Sequence, residues 1–370
     1  MSGAEAGTLP NAVPVERDLL DNMRPEPFQN GEWLNLRHAF AFSKSGMKSG
    51  NDDVFVSAVR PRLRGQVSSH LSGRYDHALE TFYCYRPLDR RWFYNDLRLL
   101  NRPGPVMQRA WGSENVGLYA LPGGTGAGPA VWCHGLLPDY HAFRGSYGGY
   151  AFPLYDRRPR INGPNLSAAL IESLSTAYGQ PVAPEDVFDA MLCLLSARSY
   201  TRRFAEDLED VFPHVPFPAR QPVFEDAVQV GREIRAIETF GREPHEAYRR
   251  PSFARVATQP SGPVVPVDYT DGGIRLCADG TGRITGISEA VWTFSVSGYR
   301  LVPRWIESRV GLQADLSLVR ELRDICSRIA ELIDRFAEAD IVLEATLRET
   351  LPREALGLDA GGQEEDGGPT

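Results

Sequence analysis

The sequence predicts an α+β protein with a mixed, mainly antiparallel sheet region, then a helical region, a small β-hairpin and a long C-terminal helix. Short runs of aromatic and β-branched residues, separated by glycine-containing turns, fill the first half of the chain and are typical of strands. Apolar residues at spacings of three and four become regular only after Pro164 and predict helices. The longest such run, residues 316–339, predicts the closing helix.

These patterns divide the 370 residues into five segments. Residues 1–30 are rich in glycine, alanine, proline and acidic residues, and we expect them to be disordered. Residues 31–163 form the β-rich part, residues 164–245 the helical part, and residues 246–345 a small β piece with the closing helix. Residues 346–370 are expected to be a disordered acidic tail.

The composition favours a folded cytoplasmic protein. Apolar residues make up 42% of the chain, and no stretch of about eighteen of them predicts a membrane span. The five cysteines are scattered without a CxxC pair, which indicates reduced core cysteines. The net charge of −8 argues against a uniformly basic nucleic-acid binder. Basic residues nevertheless cluster at residues 60–64, 86–102 and 157–160, so we expect local basic surfaces.

The first strands are expected on either side of a turn at residues 45–53. Gly46 and Gly50 would let backbone amides approach a phosphate there, with Lys48 close by. The spacing of a Walker A motif is absent, so a purely structural turn is the simpler interpretation.

Further strands are expected later in the β-rich part. Residues 82–94 predict two paired strands, and residues 117–121 and 130–134 predict two more. Pro122–Pro129, between the latter two, is predicted to be a flexible loop. A short strand ending at Tyr155 precedes an arginine-rich loop that either contacts phosphates and base edges or is a solvated turn.

Helices are predicted at residues 166–178, from Pro184 onward and at residues 224–240. Residues 264–287 suggest a small hairpin with a turn at Asp279–Gly280. The closing helix carries apolar residues with heptad spacing, which predicts packing either on this chain's own helices or on a partner subunit. The residues of this seam are Val319, Leu322, Cys326, Ile329, Ile333 and Phe336.

Arginines and aromatic residues alternate between Phe82 and Pro103, which suits a surface that meets phosphates and stacks on flat groups. The alternative is a set of arginines paired with Asp89 and Asp96 over an ordinary core. The candidate DNA contacts are Lys48, Arg86, Arg90, Arg91, Arg98, Arg102, Arg157, Arg158 and Arg160. The candidate stacking residues are Tyr85, Trp92 and Tyr94.

Several segments resemble, in the same order, the C-terminal target-recognition domain of type ISP restriction-modification enzymes. The segment YRPLDRRWFYND at residues 85–96 is similar to that family's YRPFDRRW-type signature. Residues 45–55, 150–155 together with 162–166, 184–200, 210–218 and 284–305 are similar to further family segments. The resemblance implies that the chain holds duplex DNA and reads a short sequence for an adenine-specific DNA methyltransferase.

The catalytic motifs of such enzymes are absent from this sequence. It contains no [DN]PP[YF] motif, which would hold a flipped adenine, and no phosphate loop of a helicase-like motor. A PD…ExK nuclease is excluded because Lys44 and Lys48, the only lysines, lie in one early turn. The Cys133–His134 pair has no second pair of ligands, so no zinc site is expected. We therefore expect no cofactor on this chain, with any S-adenosylmethionine bound by a partner.

The sequence thus predicts a stand-alone DNA specificity module that serves a methyltransferase or restriction activity on another chain. The alternative is a protein-interaction subunit or remnant of a restriction or phage-defence system that no longer reads DNA. The heptad seam and the acidic charge favour that alternative. An enzyme with an unrecognised site is a third interpretation.

Overall fold

The computed structural model describes residues 33–143 and 148–357. Within these ranges the strands pair in six small sheets, all antiparallel, and the long helices follow residue 164. The predicted α+β class, with its sheet region, helical region and long C-terminal helix, is confirmed. The predicted disordered segment 1–30 lies outside the described residues.

The strands and helices are numbered here in chain order. The strands are β1 (Leu34–Asn35), β2 (Lys44–Ser45), β3 (Val56–Ser57), β4 (Glu80–Arg86), β5 (Asp89–Tyr94), β6 (Gly117–Ala120), β7 (Trp132–His134), β8 (Tyr150–Pro153), β9 (Tyr155–Asp156), β10 (Gly163–Pro164), β11 (His214–Val215), β12 (Arg255–Val256), β13 (Val264–Thr270), β14 (Gly273–Cys277), β15 (Arg283–Thr285), β16 (Ser295–Val296) and β17 (Tyr299–Arg300). The α-helices are α1 (Asp52–Phe55), α2 (Arg60–His70), α3 (Pro105–Trp111), α4 (Ala168–Tyr178), α5 (Pro184–Ser196), α6 (Arg198–Arg203), α7 (Gln221–Glu238), α8 (Glu289–Thr293), α9 (Leu301–Glu307) and α10 (Leu316–Thr346).

A small region of the β-rich part folds around a core of its own, called here the small core. Its sheet has the order β3–β5–β4, and β4 and β5 form the paired strands predicted at residues 82–94. Helices α1 and α2 pack beside this sheet. The buried residues of the small core are Met47, Phe55, Val56, Leu63, Val67, Tyr83, Phe93, Tyr94 and Leu100.

The main core extends from a central sheet into the helical part. The sheet has the order β2–β8–β6–β7, and Tyr119, Trp132 and Phe152 are completely buried in it. The carboxylate of Glu238 on α7 accepts a hydrogen bond of 2.6 Å from the backbone N–H of Cys133 on β7. This contact joins the sheet to the helices, so the main core is continuous across the predicted boundary at residue 164.

The loop Pro122–Pro129, predicted to be flexible, packs against neighbouring backbone, although Gly124 and Ala127 are exposed. The backbone N–H of Gly124 donates to the carbonyl of Glu209 at 2.8 Å. A Cβ atom added at Gly123 would lie 2.7 Å from the same carbonyl oxygen, and one at Gly128 would lie 2.5 Å from the carbonyl oxygen of Ser295. Its glycines therefore permit close backbone approach, which the same composition cannot distinguish from flexibility.

Capping residues and a proline define the ends of the first helices in the helical part. Ser167 caps α4, and Gly179 ends it in the left-handed conformation. Pro184 occupies the first turn of α5, as predicted. Helices α5 and α7 cross closely because Gly231 lies against the backbone of Asp189, where a Cβ atom would be 1.8 Å from the carbonyl oxygen.

The heptad seam of α10 packs on this chain's own helices. Ile329 and Phe336 are fully buried, and the helix contacts α5, α6 and α7. Asp315 caps its N-terminus through a 2.8 Å bond from the N–H of Leu318. The seam therefore belongs to the main core, and the partner-subunit alternative loses its principal support in the sequence.

The predicted small hairpin is part of a four-stranded sheet with the order β12–β15–β14–β13. Asp271 and Gly272 join β13 to β14 with positive φ angles of 51° and 68°, a sign pattern that hairpins with two-residue turns favour. The predicted turn at Asp279–Gly280 connects β14 to β15. The predicted turn thus joins β14 and β15, whereas the sequence did not indicate β12, which has only two residues, or the turn at Asp271–Gly272.

Of the helices in the β-rich part that were not predicted, α2 and α3 are the longest. Only Leu63 and Val67 are buried along α2, so its apolar stripe is too thin to show a helical period. Gly104 and Gly112 flank α3, whose seven residues are also too few for a clear period.

The tail prediction was wrong for residues 346–357, which are ordered. Leu351 donates its N–H to the carbonyl of Phe217 at 2.8 Å, and the 3₁₀ turn Arg353–Leu356 buries Leu356. Residues 358–370 lie outside the described residues. None of the helices in the described ranges combines the length and apolarity needed to cross a membrane.

Candidate nucleic-acid interface

The tip of the β4–β5 hairpin is held by a buried ionic cluster. Asp89, whose side chain is 3% exposed, lies 2.6 Å from Nη2 of Arg91 and 3.0 Å from Nη2 of Arg309. Burial alone would raise the pKa of Asp89, but the two guanidinium groups outweigh it and hold the pKa below its usual value. The cluster therefore connects the hairpin to the C-terminal part of the chain through residues 220 positions apart.

The other arginines of the hairpin also contact protein groups. Arg86 pairs with Asp139 at 3.0 Å, and the Tyr85 ring lies between the guanidinium groups of Arg86 and Arg91, at 3.9 and 3.8 Å. Arg90 is exposed, yet its guanidinium lies 3.7 Å from the ring centroid of Phe240 at the end of α7. The adjacent arginines 90 and 91 thus have unequal environments, as the alternation of side chains along a strand requires.

The candidate stacking residues lie on or inside the small region. Tyr94 is buried in the small core beside Phe55. Trp92 is half-buried, with Phe82 against its ring at 3.9 Å and the guanidinium of Arg60 over it at 4.5 Å. Tyr85 is enclosed by arginines, so none of the three presents a bare aromatic face.

The loop at residues 156–160 combines bound and free arginines. Arg158 pairs with the buried Asp156 at 2.5 Å, and Arg157 lies over the Tyr155 ring at 4.5 Å. Arg160 is exposed, and no carboxylate of the described residues pairs with it. Arg98, on the small region, is 84% exposed but pairs with Asp96 at 2.7 Å.

Two of the predicted contacts meet beside the glycine-containing turn. The backbones of Lys48 and Arg102 exchange two hydrogen bonds of 3.0 Å. Both side chains point at the ring of Tyr140, with Lys48 Nζ 5.9 Å and Arg102 Cζ 4.7 Å from its centroid. No carboxylate in the described part of the chain forms an ion pair with either of them. The imidazole of His141 lies 4.7 Å from the same ring centroid, and these four residues are called here the Tyr140 site.

The sequence had not indicated Tyr140 or His141, which follow an unremarkable proline-containing stretch. Their signal lies in the glycines that come afterwards: a Cβ atom at Gly148 would lie 1.9 Å from Cζ of the Tyr140 ring. Gly149 donates its N–H to the Tyr140 carbonyl at 2.9 Å. Gly148 therefore leaves space for the Tyr140 ring and Gly149 for the ring of Tyr119, and a Gly–Gly pair near a tyrosine was the available clue.

Electrostatics distinguish the Tyr140 site from the hairpin. Burial raises the pKa of Asp139 to about 6, although Arg86 and the backbone N–H of His141 oppose the shift. Partial burial lowers the pKa of His141, and the nearby cations Lys48 and Arg102 lower it further. The site thus has cations close together without carboxylates in contact with them, an arrangement that an anion would stabilise.

One group of side chains in the described residues has metal-ligand spacing. The ligand atoms of Glu233, His245 and Glu331 lie within 4.8 Å of one another. Nη2 of Arg242 lies 2.6 Å from Glu233 and 2.7 Å from Glu331, so a cation already bridges the two carboxylates. The group is an internal ion-pair network, and it could bind a metal ion only if the guanidinium of Arg242 moved away from the two carboxylates.

The fold is that of a specificity domain from a restriction-modification enzyme. Residues 33–334 match the family described as the Type ISP C-terminal specificity domain, and the chain belongs to this family. The resemblance seen in the sequence is therefore confirmed. No curated protein sequence matches the chain.

Three solved structures show the same fold. One is the ATP-dependent Type ISP restriction-modification enzyme LlaBIII bound to DNA, with a TM-score of 0.64, 15% identity, and 89% of this chain and 25% of that chain covered. For a nuclease-deletion mutant of the Type ISP enzyme LlaGI in complex with a DNA substrate mimic, the TM-score is 0.61 and the identity is 13%, with 90% of this chain and 30% of that chain covered. For the DrdV–DNA complex, the TM-score is 0.59 and the identity is 16%, with 83% of this chain and 35% of that chain covered. The chain thus spans 25–35% of the length of these enzymes.

Proposed function

We propose that this chain binds duplex DNA and reads a short target sequence, serving an adenine-specific methyltransferase or restriction activity on another chain. Its membership of a specificity-domain family supports this function, as does its likeness to three structures that contain DNA. The absence of methyltransferase, motor and nuclease motifs from the 370 residues supports a recognition role without catalysis. Its place would be the cytoplasm, and it would need no cofactor of its own.

The observation that carries the proposal is the pair Lys48 and Arg102 above Tyr140. The hairpin arginines 86 and 91 are neutralised by buried aspartates, whereas these two cations have no described carboxylate partner. Cations held without counterions at a surface suit the phosphates of a DNA backbone. Such contacts would set the position of the domain on the duplex, and base reading would come from loops beside them.

The test is the salt dependence of binding to a duplex of mixed sequence, which needs no knowledge of the target. Each DNA phosphate that the protein neutralises adds about 0.9 to the steepness of log affinity against log salt. We expect Lys48→Gln and Arg102→Gln each to flatten the slope by about one unit and to leave the melting temperature unchanged.

Arg348→Gln is the matched control, because Arg348 is exposed after α10 and has no carboxylate partner among the described residues. It removes the same charge far along the chain and should leave the slope unchanged. Equal slopes for the wild type and the double variant Lys48→Gln/Arg102→Gln would exclude the Tyr140 site, and no binding at low salt would refute the DNA-binding function.

The absence of a cofactor is tested separately. Isothermal titration of the chain with S-adenosylmethionine should give no heat of binding. A micromolar dissociation constant would show a methyltransferase function that the motifs do not reveal.

A further inference from the structure

Three nitrogen-bearing side chains surround one aromatic ring at the Tyr140 site. Lys48 Nζ lies 5.9 Å, Arg102 Cζ 4.7 Å and the His141 ring 4.7 Å from the Tyr140 ring, with the two rings nearly perpendicular at 77°. They come from three separate segments of the chain. The face of a tyrosine ring attracts cations, so the ring favours the charged form of each neighbour.

The backbone holds this arrangement in place. Tyr140 donates its N–H to the carbonyl of Met47 at 2.6 Å, and its own carbonyl accepts from the hydroxyl of Tyr119 at 2.7 Å. The N–H of His141 donates to Asp139 Oδ1 at 2.8 Å. The backbone of Tyr140 and His141 is therefore fixed before any ligand arrives, which lowers the entropic cost of binding.

The charges that face His141 are Lys48, Arg86 and Arg102, opposed by Asp52 and Asp139. Both carboxylates already accept bonds from the protein. Asp139 is bonded to Arg86 at 3.0 Å, and Asp52 accepts from Tyr85 at 3.1 Å as well as from Ser49. Three cations against two carboxylates leave a positive excess when His141 is neutral, and protonation of the imidazole increases it.

We propose that Lys48, Arg102 and His141 form one phosphodiester site in which His141 binds the DNA backbone as an imidazolium, so that binding takes up a proton. This inference rests on the proposed DNA-binding function. In the free protein the neighbouring cations disfavour a charged imidazole, whereas a phosphate among them reverses the sign of the local potential. A backbone phosphate then stabilises all three cations together, and the hydrogen bond from His141 is charge-assisted.

The sign of the pH dependence follows from this linkage. A group whose pKa is higher in the complex than in the free protein makes binding tighter as the pH falls. One such group gives at most about tenfold in affinity per pH unit. Protonation of Asp139, whose pKa is raised to about 6, would also tighten DNA binding as the pH falls. Its effect on affinity must therefore be distinguished from the effect of protonating His141.

The experiment measures the dissociation constant of the full chain for a mixed-sequence duplex at fixed ionic strength, between about pH 8 and about pH 5.5. Wild-type affinity should rise roughly three- to tenfold over this range. His141→Gln should retain the weak high-pH affinity and lose most of the dependence, while Asp139 remains intact. His141→Arg, with a permanent charge, should bind tightly and almost independently of pH.

The outcomes separate the two proposals. Wild-type binding that depends on salt but not on pH would overturn the proton-linked site and leave the DNA-binding function standing. The same pH dependence in His141→Gln as in the wild type would also overturn it and would assign the titration to another group such as Asp139. Failure of the wild type to bind the duplex at any salt concentration would refute the proposed function itself.

Discussion

The β4–β5 hairpin and the Tyr140 site both bring basic and aromatic side chains together, but their cations have different partners. At the hairpin, Asp89 is buried between Arg91 and Arg309, and Arg86 pairs with Asp139, so these charges are compensated inside the protein. At the Tyr140 site, Lys48 and Arg102 share an aromatic ring and no described carboxylate. The comparison teaches that the density of arginines does not identify a binding surface, because the positions of the carboxylates decide which cations are available.

The largest effect is expected at the hairpin. Asp89→Ala leaves the buried Arg91 without a carboxylate partner and Arg309 with only Glu321 at 3.5 Å, which should lower the free energy of unfolding by about 3–5 kcal/mol. Asp268→Ala removes one partner of an exposed pair, Asp268–Arg275 at 2.8 Å, and should cost no more than about 1 kcal/mol. Denaturant titration of both variants checks this difference. Equal losses of unfolding free energy in the two variants would mean that Asp89 contributes no more to stability than the carboxylate of an exposed ion pair.

A smaller effect separates the two adjacent arginines. Arg91→Gln removes hydrogen bonds to a buried carboxylate and should cost about 1.5–3 kcal/mol, while Arg309 still compensates part of the charge. Arg90→Gln removes only the interaction with the Phe240 ring and should cost about 0.5–1 kcal/mol. Thermal melting measures both. The salt dependence of DNA binding by Arg90→Gln also decides whether this exposed arginine contacts phosphate, and a flatter slope would extend the interface to the hairpin.

At the Tyr140 site the expected effect is on binding and not on stability. Tyr140→Leu keeps an apolar side chain but removes the aromatic face, so each cation loses about 0.5–1 kcal/mol of attraction. DNA affinity should fall by roughly two- to tenfold with little change in melting temperature. Affinity equal to the wild type would mean that the ring is only a spacer. A large loss of stability would mean that the site resembles the hairpin after all.

The smallest effect concerns a third arginine cluster, on the surface of the small region. The side chain of Glu80 accepts bonds from Arg64, Arg60, Tyr75 and His77. The bond from Arg64 is the main cause that lowers the pKa of Glu80 below its ordinary value of 4.5. Because the folded pKa is the lower one, the stabilisation is present above about pH 4.5 and is lost as the pH falls below it.

This third cluster is tested by comparing melting temperatures of wild type and Glu80→Gln across the acid range. The wild type should be the more stable near neutral pH, and the difference should shrink as the pH approaches about 3. Its arginines are 44% and 39% exposed, so solvent screens the pairs and the effect should be modest. A difference in melting temperature that stays constant at all pH values would mean that the substitution acts through the shape of the side chain and not through its charge.

The sequence predicts the class and order of this fold well where long apolar periods exist. Helices α4, α5, α7 and α10 were expected because their stripes repeat over several turns. Helix α2 was missed because two buried residues do not make a period. The sequence predicted that Asp89 pairs with a neighbouring arginine, and Arg91 is that partner. The second partner, Arg309, is too distant in sequence for any local pattern to indicate it.

The candidate contacts follow the same rule. Lys48 and Arg102 were both suspected, yet nothing in the sequence indicated that a bridge between residues 48 and 102 brings them together over Tyr140. That information lies in tertiary backbone pairing. The ion pair of Arg86 could not be predicted either, because its partner Asp139 lies 53 residues away.

The bond between Asp89 and Arg309 also has a consequence for synthesis on the ribosome. The whole of the small core, up to Leu100, leaves the exit tunnel long before residue 309 has been translated. At about 5–20 residues per second, the 220 intervening residues take roughly 10–45 s, during which Asp89 has Arg91 as its only buried counterion. We therefore expect the nascent small region to fold first, and to complete its docking onto the body of the protein only after Arg309 emerges.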